Sequence, residues 1–204
     1  MYNRFLKRLI DIAISLLGLI VLFIPMLVIS LVIKIDSSGP VFFKQKRVGI
    51  HKSYFYIIKF RSMPVNVPKD VPTHLFNAAD ALSPWQKFIR KTSLDELPQM
   101  INILKGDMSI IGPRPALWNQ YDLIEERDKY GVNDIKPGLT GWAQINGRDE
   151  LDIPVKAKLD AEYLEQMSFG FDIKCFLKSI VSVLKHDGFI EGAAEEDSVS
   201  VNNL

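Results

Sequence analysis

The segment IAISLLGLIVLFIPMLVISLVI, residues 12–33, decides the fold of this chain because it holds twenty-two residues without a charge. At about 1.5 Å of rise per residue, a helix of this length just crosses a hydrocarbon core of about 30 Å. A secretory signal peptide is disfavoured, because the run is too long for its central region and no small-residue cleavage site follows. The segment therefore predicts association with a membrane.

Pro25 lies in the middle of this run and bears on how the segment meets the membrane. Proline removes one helical hydrogen bond and clashes with the preceding turn, so the helix is expected to kink there. Both flanks are basic, which by the positive-inside rule keeps both ends on the cytoplasmic side. The basic residues are Arg4, Lys7 and Arg8 before the run, and Lys34, Lys44, Lys46 and Arg47 after it. A re-entrant helix broken at Pro25 satisfies both features, and a spanning helix that tolerates a proline stays open as the alternative.

Charge is distributed unevenly along the chain. The 204 residues carry 25 Lys and Arg against 24 Asp and Glu, and this net charge of +1 argues against a nucleic-acid-binding surface over the whole protein. The first 63 residues hold ten basic and two acidic side chains, so a charge of +8 is followed by −7 in the remainder. A basic N-terminal third around an apolar run favours an anionic membrane surface as partner. The single cysteine, Cys175, excludes an internal disulfide framework.

The patterns predict a helix-rich α+β fold in three parts: a membrane helix at residues 1–36, a cytoplasmic domain at 37–190 and an acidic, disordered tail at 191–204. Two β-rich aromatic runs, VFFKQKRVG and YFYIIKF, flank a short polar stretch and predict a β-hairpin. Helices are predicted at 85–91, from 97 to a glycine cap at Gly106, within 116–130 and at 152–167, with loops at 64–84 and 135–148. A short strand is predicted in MSIIGPRP, ending at Gly112.

The last predicted helix, residues 171–186, carries an apolar stripe, which is most simply a core-facing side. The stripe consists of Ile173, Phe176, Leu177, Ile180 and Leu184.

Asp95 and Glu96 form an adjacent acidic pair between basic residues and a helix. Pro98 suits the first helical position, which would set both carboxylates just ahead of a helix N-terminus, where anions are favoured. The spacing from Ser93 to Glu96 is equally that of a capping box, which requires no function. The two readings are compatible, because Asp95 has no part in the box.

Arg114 lies in the sequence GPRP at 112–115, where the flanking prolines restrict the backbone and present the guanidinium from a stiff loop. Such a loop suits phosphate recognition, although a surface ion pair explains the same residue. Further cations that could converge on phosphates are Lys59, Arg61 and Arg148. Nucleotide-loop, dinucleotide and zinc motifs are absent from the sequence.

Taken in order, KFRSM (59–63), SLDELPQ (93–99), NILKGDMSIIGPRP (102–115) and KPGLTGWAQINGR (136–148) closely resemble the bacterial sugar transferases, the small monotopic phosphoglycosyl transferases. The resemblance runs from about Arg4 to Lys185 and includes an apolar helix with a central proline. Ile24 precedes that proline where serine is commoner in the family. The known topology of the family favours the re-entrant alternative.

The resemblance implies transfer of a sugar-1-phosphate from a UDP-sugar to undecaprenyl phosphate, with release of UMP, in the first membrane step of bacterial glycan biosynthesis. It implies Asp95 as a nucleophile that forms a covalent phospho-sugar intermediate, and Glu96, with Asp95, as a ligand of Mg²⁺. The cations that match family positions around the phosphates are Lys59, Arg90, Arg114 and Arg148. Asp160 matches the position of an acidic residue in the family, and the sequence pattern indicates no role for it.

The implied location is the cytoplasmic face of the inner membrane. The expected partners there are membrane lipids and downstream glycosyltransferases, and no nucleic acid.

Two other functions are compatible with parts of the sequence. A non-catalytic membrane scaffold would bind anionic lipids through Arg4, Lys7, Arg8 and the cations of residues 44–61. A glycosidase would use Asp95 and Glu96 as its paired carboxylates, but adjacent residues would have to reach a separation of roughly 5–9 Å across a sugar, so this hypothesis ranks last.

Overall fold

The computed structural model describes residues 4–65, 82–147 and 151–185. The predicted disordered tail lies outside these ranges, and most of the predicted 64–84 loop does too. The helices are α1 (Arg4–Val21), α2 (Phe23–Asp36), α3 (Pro84–Lys91), α4 (Gln99–Lys105), α5 (Tyr121–Asp128), α6 (Trp142–Ile145), α7 (Ile153–Gln166) and α8 (Phe169–Lys185). The strands are β1 (Phe42–Val48), β2 (Tyr54–Phe60), β3 (Ser109–Ile111) and β4 (Gly138–Thr140). This order confirms a helix-rich α+β fold.

The N-terminal apolar segment is bent by 61° between α1 and α2. The bend lies at Leu22, one turn before the predicted break at Pro25. Proline explains this offset, because it has no N–H for the carbonyl of Val21 and its ring clashes with that carbonyl. No single helix in the described residues is long and apolar enough to cross a membrane, whereas the bent pair taken together meets that criterion by length and composition.

Helix α1 turns its polar side inward and its apolar side outward. The Asp11 carboxylate is buried and accepts hydrogen bonds from Ser109 Oγ at 3.1 Å and from the backbone N–H of Ile110 at 3.0 Å. Arg8 donates to the carbonyls of Ile103 and Leu104 at the end of α4, where the last carbonyls have no i+4 partner within the helix. The outward side chains Phe5, Leu9, Leu17 and Ile20 are exposed. This polarity anchors α1 on the domain and leaves an apolar surface outside.

The predicted hairpin is confirmed. Strands β1 and β2 pair antiparallel, from Phe42 opposite Phe60 to Val48 opposite Tyr54, and a 3₁₀ turn at Ile50–Lys52 connects them. The hairpin brings Lys59 and the residues after Phe60 to one edge of the domain.

The predicted loop at 135–148 is partly wrong, because it contains β4 and α6. Strand β4 pairs in parallel with β3, with Ser109 opposite Gly138 and Ile111 opposite Thr140. The glycines permit this pairing, since a Cβ on Gly138 would lie 2.2 Å from the backbone nitrogen of Gly112. They act here through close backbone approach and not as loop residues.

Apolar side chains from the hairpin, α4, β3, α7 and α8 form the main core. Its buried members include Phe55, Ile57, Ile103, Met108, Ile111, Tyr163, Phe171 and Cys175. A second cluster packs α2 on α3 through Ile29, Ile33 and Ile89, with Phe60 from β2.

The prediction that the apolar stripe of α8 faces the core is wrong. Ile173, Phe176, Leu177 and Ile180 are 41–56% exposed, while Leu184 lies beyond the side chains that the structure describes. The opposite face points inward instead. There Cys175 is buried, and Asp172 accepts a hydrogen bond from Tyr163 Oη at 2.8 Å. The buried polar contact of Asp172 thus orients α8 with its apolar stripe outward.

Candidate active site

Three segments bring charged side chains together at one end of the domain. Lys59 comes from the end of β2, Asp95 and Glu96 lie on a 3₁₀ turn at Leu94–Glu96, and Arg114 lies on the loop after β3. These residues, which the sequence singles out from separate motifs, are brought together by the fold.

The acidic turn is not a capping box. Within the described residues the Ser93 side chain makes no capping hydrogen bond, and the Glu96 carboxylate binds Lys59 and Arg114 instead. The acids also lie ahead of Pro98, which is itself the N-cap of α4. A true capping box begins α3, where Ser83 Oγ accepts from the Gln86 N–H at 3.1 Å and Gln86 Oε1 accepts from the Ser83 N–H at 3.2 Å.

Glu96 is held as an anion by two cations. Its Oε1 atom accepts hydrogen bonds from Lys59 Nζ at 2.7 Å and Arg114 Nη2 at 2.9 Å. Burial alone would raise the pKa of Glu96, but Arg114 and Lys59 together hold that pKa well below its usual value. Burial lowers the pKa of Lys59, against the opposing effect of Glu96. Glu96 is therefore a fixed negative charge at working pH.

Asp95 has a different environment although it is the next residue. Its side chain is buried, and Oδ2 accepts a hydrogen bond from Ser62 Oγ at 3.1 Å. Burial raises the pKa of Asp95 to about 6, and the charge of Glu96 adds to this effect against Lys59 and Arg90. Adjacent carboxyl groups with separated pKa values are typical of sites where the two groups do different chemistry. Asp95 is thus a carboxylate that ionises near neutral pH and is weakly stabilised by its surroundings.

Asp160 lies outside this cluster but acts on it through Arg127. Its Oδ2 atom accepts hydrogen bonds from Arg127 Nε at 2.9 Å and Nη2 at 2.6 Å, and both residues are buried. Arg127 Nη1 then donates to the backbone carbonyl of Arg114 at 3.0 Å. Asp160 is therefore a positioning residue for the loop that presents Arg114.

The three remaining cations that the sequence predicts near the phosphates differ in whether they belong to this cluster. The charge of Arg90 lowers the pKa of Asp95, so Arg90 acts on this cluster. Arg61 does not belong to it, because its guanidinium is directed to the backbone carbonyls of Ser37 and Ser38, at 2.7 and 2.6 Å. Arg148 lies outside the described residues, so its phosphate-binding role stays a prediction.

Sequence reasoning missed Ser62 and Arg127. Ser62 lies inside the KFRSM motif, which could have indicated it. No local sequence pattern indicates Arg127, because its role depends on Asp160, which lies thirty-three residues away in the sequence.

The carboxylate pair fits a metal that is shared with a substrate. Within the described ranges, no group of three or more His, Cys, Asp or Glu side chains could hold a metal ion alone. Mg²⁺ commonly binds through one or two carboxylates and completes its coordination with substrate phosphates and water. Asp95 and Glu96 supply two such carboxylates, and Lys59 and Arg114 hydrogen-bond to the Oε1 atom of Glu96. This donor set suits Mg²⁺ that arrives with a phosphate.

Comparison with known proteins identifies the family. Residues 2–186 match the family model described as bacterial sugar transferase. The chain is 38% identical over 183 residues to the uncharacterized sugar transferase EpsL of Bacillus subtilis, covering 90% of this chain and 89% of that protein. It is 40% identical to a UDP-glucose:undecaprenyl-phosphate glucose-1-phosphate transferase of Escherichia coli, covering 94% of this chain.

A third relative is the undecaprenyl-phosphate galactose phosphotransferase of Salmonella typhimurium, which is 37% identical over 91% of this chain. The chain spans 42% of the length of each of the last two relatives. The family model covers nearly all of the chain, and EpsL matches at nearly full length. The chain therefore belongs to the bacterial sugar transferase family.

Proposed function

We propose that this protein transfers a sugar-1-phosphate from a UDP-sugar to undecaprenyl phosphate, releases UMP, and so begins the membrane stage of bacterial glycan biosynthesis. The observation that carries the proposal is the pair of buried Asp95 and half-buried Glu96, whose pKa values are driven apart beside Lys59 and Arg114. The names of the relatives from Escherichia coli and Salmonella typhimurium describe this class of transfer.

In the first step, an Asp95 carboxylate oxygen attacks the β-phosphorus of the UDP-sugar. The new carboxylate–phosphorus bond forms as the bond from that phosphorus to the bridging oxygen breaks, and the electron pair leaves with UMP. Covalent catalysis of this kind splits one difficult transfer into two easier ones. Asp95 suits the role because its buried anion is weakly stabilised in the free protein.

In the second step, a phosphate oxygen of undecaprenyl phosphate attacks the phosphorus of the phospho-sugar on Asp95. The carboxylate–phosphorus bond breaks, the electron pair returns to Asp95, and the product is a sugar linked to the lipid through a diphosphate. The two steps restore the free carboxylate and require no oxidant or reductant.

The cations make an encounter between anions feasible. The Arg114 side chain is 30% exposed and that of Lys59 is 14% exposed, so a phosphate that enters the site meets charges at two depths. Such preorganised charges stabilise a phosphoryl transition state more than bulk water does. Glu96 holds both cations in place through its Oε1 atom.

Mg²⁺ is the proposed cofactor, with Asp95 and Glu96 as its protein ligands. When bound, it would neutralise phosphate oxygens and orient the diphosphate.

The site of action is proposed to be the cytoplasmic face of the inner membrane, with α1 and α2 as a re-entrant pair. The outward apolar surface of α1 and the 61° bend support this arrangement. It would set Asp95 at the interface, where the lipid phosphate and the soluble nucleotide can both be reached.

The test is UMP release by detergent-purified protein with Mg²⁺, undecaprenyl phosphate and a panel of UDP-hexoses and UDP-acetamido sugars. We expect activity with at least one donor and a loss of at least about 10³-fold in Asp95→Asn. Asp134→Asn is the matched control, because it makes the same change at an exposed carboxylate. With lipid withheld, the wild type should gain the mass of one phospho-sugar and Asp95→Asn should not.

Full activity of Asp95→Asn would overturn the nucleophile assignment. Binding to anionic vesicles without UMP release from any donor would favour the non-catalytic scaffold instead.

A further inference from the structure

A cavity of about 370 Å³ lies beside Glu96, bounded by β4, α6 and α8. Its size falls in the range of about 300–1,000 Å³ that is typical of ligand pockets. The side chains that matter for its chemistry are Leu97, Leu139, Thr140, Gln144, Phe176 and Ile180. Glu96 itself lines the cavity, which therefore begins at the charged cluster and extends away from it along apolar side chains.

Apolar side chains form most of the walls of this cavity, and Ser93 and Ser182 also line it. The hydroxyls of Thr140 and Ser179 lie 2.6 Å apart and bond each other, and Ser179 also donates to the carbonyl of Cys175. Gln144 donates its amide to the carbonyl of Leu139 at 3.2 Å, which leaves its buried Oε1 atom without a partner among the described residues. Sugar hydroxyls buried here would find few hydrogen bonds, which is costly.

The cavity continues outward into an apolar surface. Phe176 and Ile180 line it and are also 41% and 46% exposed on the outer face of α8. At the other end, Glu96 binds Lys59 and Arg114, the cations available to a phosphate. A ligand that fills the whole path therefore has an anionic phosphate at one end and a hydrocarbon chain at the other.

We propose that this cavity binds the phosphate-proximal isoprene units of the polyprenyl phosphate acceptor, which enter along Phe176 and Ile180. The proposal rests on the proposed function and adds the acceptor subsite to it. An isoprenoid chain gains from burial against apolar walls and has no hydrogen bonds to lose. This proposal also explains why the apolar stripe of α8 is exposed, since the lipid chain would pack against it.

The test compares Ile180→Trp, which fills the mouth of the cavity, with Ile173→Trp, which adds the same side chain to the same face of α8. Ile173 does not line the cavity and has a similar exposure, 43% against 46%. Both variants keep the outer face apolar, so general membrane contact is preserved. Ile180→Leu, which keeps the volume, checks that the position tolerates substitution.

Binding is measured by native mass spectrometry in detergent with undecaprenyl phosphate as probe, and turnover by the apparent KM for this lipid. We expect Ile180→Trp to weaken both by about tenfold or more, and Ile173→Trp and Ile180→Leu to stay within about twofold of the wild type. UMP formation without lipid should be unchanged in Ile180→Trp, because the donor step does not use the cavity.

Equal lipid binding by Ile180→Trp and the wild type would overturn the proposal. A raised KM for the UDP-sugar instead would also overturn it and would place the donor, through Gln144, in the cavity. Failure of the proposed function is distinguishable, because the wild type would then release no UMP while the binding comparison could still be made.

Discussion

Two buried acidic sites lie on either side of the Gly-Pro-Arg-Pro loop at 112–115, and their charges are compensated differently. Asp160 receives two hydrogen bonds from one guanidinium, that of Arg127. Asp95 receives one hydrogen bond from the Ser62 hydroxyl and has the anion of Glu96 beside it. Arg114 joins the two sites, since its side chain binds Glu96 and its carbonyl accepts from Arg127.

The difference separates a charge that supports the fold from one that can react. Burial raises the pKa of both carboxyl groups. The Arg127 guanidinium, however, binds the Asp160 carboxylate through two of its nitrogens, so Asp160 has a direct counter-ion. Asp95 has cations nearby, but Glu96 occupies Lys59 and Arg114 directly. The buried ion pair of Asp160 and Arg127 is therefore structural. The Asp95 carboxylate, whose charge is less well compensated, is available for bond formation.

The largest expected effect on stability is that of Asp160→Asn. The change leaves Arg127 buried without a counter-ion, which typically costs about 3–5 kcal/mol of unfolding free energy. Denaturant titration followed by circular dichroism measures the loss. Replacing both partners together, as Asp160→Leu with Arg127→Met, should recover much of it. An Asp160→Asn protein as stable as the wild type would show that the pair is not structural.

The same aspartate-to-asparagine substitution at Asp95 should raise the unfolding free energy instead of lowering it. Asp95 has a folded pKa of about 6 against an ordinary value of 3.8, so the folded state binds the proton more tightly than the unfolded state. The contribution of Asp95 to the unfolding free energy therefore decreases as the pH rises from about 4 to 6. Asp95→Asn removes that cost and should raise the unfolding free energy at pH 7.5 by about 1–3 kcal/mol.

Thermal melts of metal-free protein at two pH values check this sign. The gain in Tm should be present at pH 7.5 and vanish near pH 4, where Asp95 is protonated in both states. A lower Tm for Asp95→Asn at pH 7.5 would place both acids in the structural class and remove the contrast between them.

The third expected effect is on pH dependence. The nucleophile must be ionised, so kcat/KM for the UDP-sugar should fall below about pH 6, the pKa of Asp95 in the free protein. The Ser62 hydroxyl lowers that pKa, and Ser62→Ala should move the acidic limb upward by roughly 0.5–1 pH unit. Ser53→Ala, which removes an exposed hydroxyl of the hairpin turn, is the control. An unmoved limb in Ser62→Ala would mean that another group controls it.

The sequence predicts those parts of the molecule that local chemistry determines. The hairpin follows from its aromatic runs, and the αL conformation of Gly106 at the end of α4 follows from the preference for glycine at that position. Local patterns and the family resemblance predict Lys59, Asp95, Glu96 and Arg114 as site residues, and the structure brings them together.

The parts that were not predicted depend on distant contacts. The direction of the α8 stripe follows from the bond between Tyr163 and Asp172, because periodicity identifies an apolar face but not what that face meets. The partnership of Asp160 with Arg127 is likewise invisible in either local sequence. Ser93 and Glu96 match a capping box, but two cations compete for the Glu96 carboxylate and prevail.

The smallest expected effect concerns the backbone of the reactive site, which we compare with a helix cap elsewhere in the domain. Ser93, just before the acidic turn, has φ of 55° and ψ of 19°, a left-handed conformation that costs an L-residue about 1–2 kcal/mol. Ser93→Gly removes this strain but adds about 0.5–1 kcal/mol of unfolded-state entropy, so a net gain of about 0–1.5 kcal/mol is expected.

Ser83→Ala is the matched change in the scaffold, since it deletes a hydroxyl that does cap a helix and should cost about 1 kcal/mol. Opposite shifts in Tm would therefore show that the reactive turn holds strain in its backbone as well as in its charges. If Ser93→Gly also lowered Tm, the left-handed turn would belong with the structural contacts, and the contrast would be confined to the side chains.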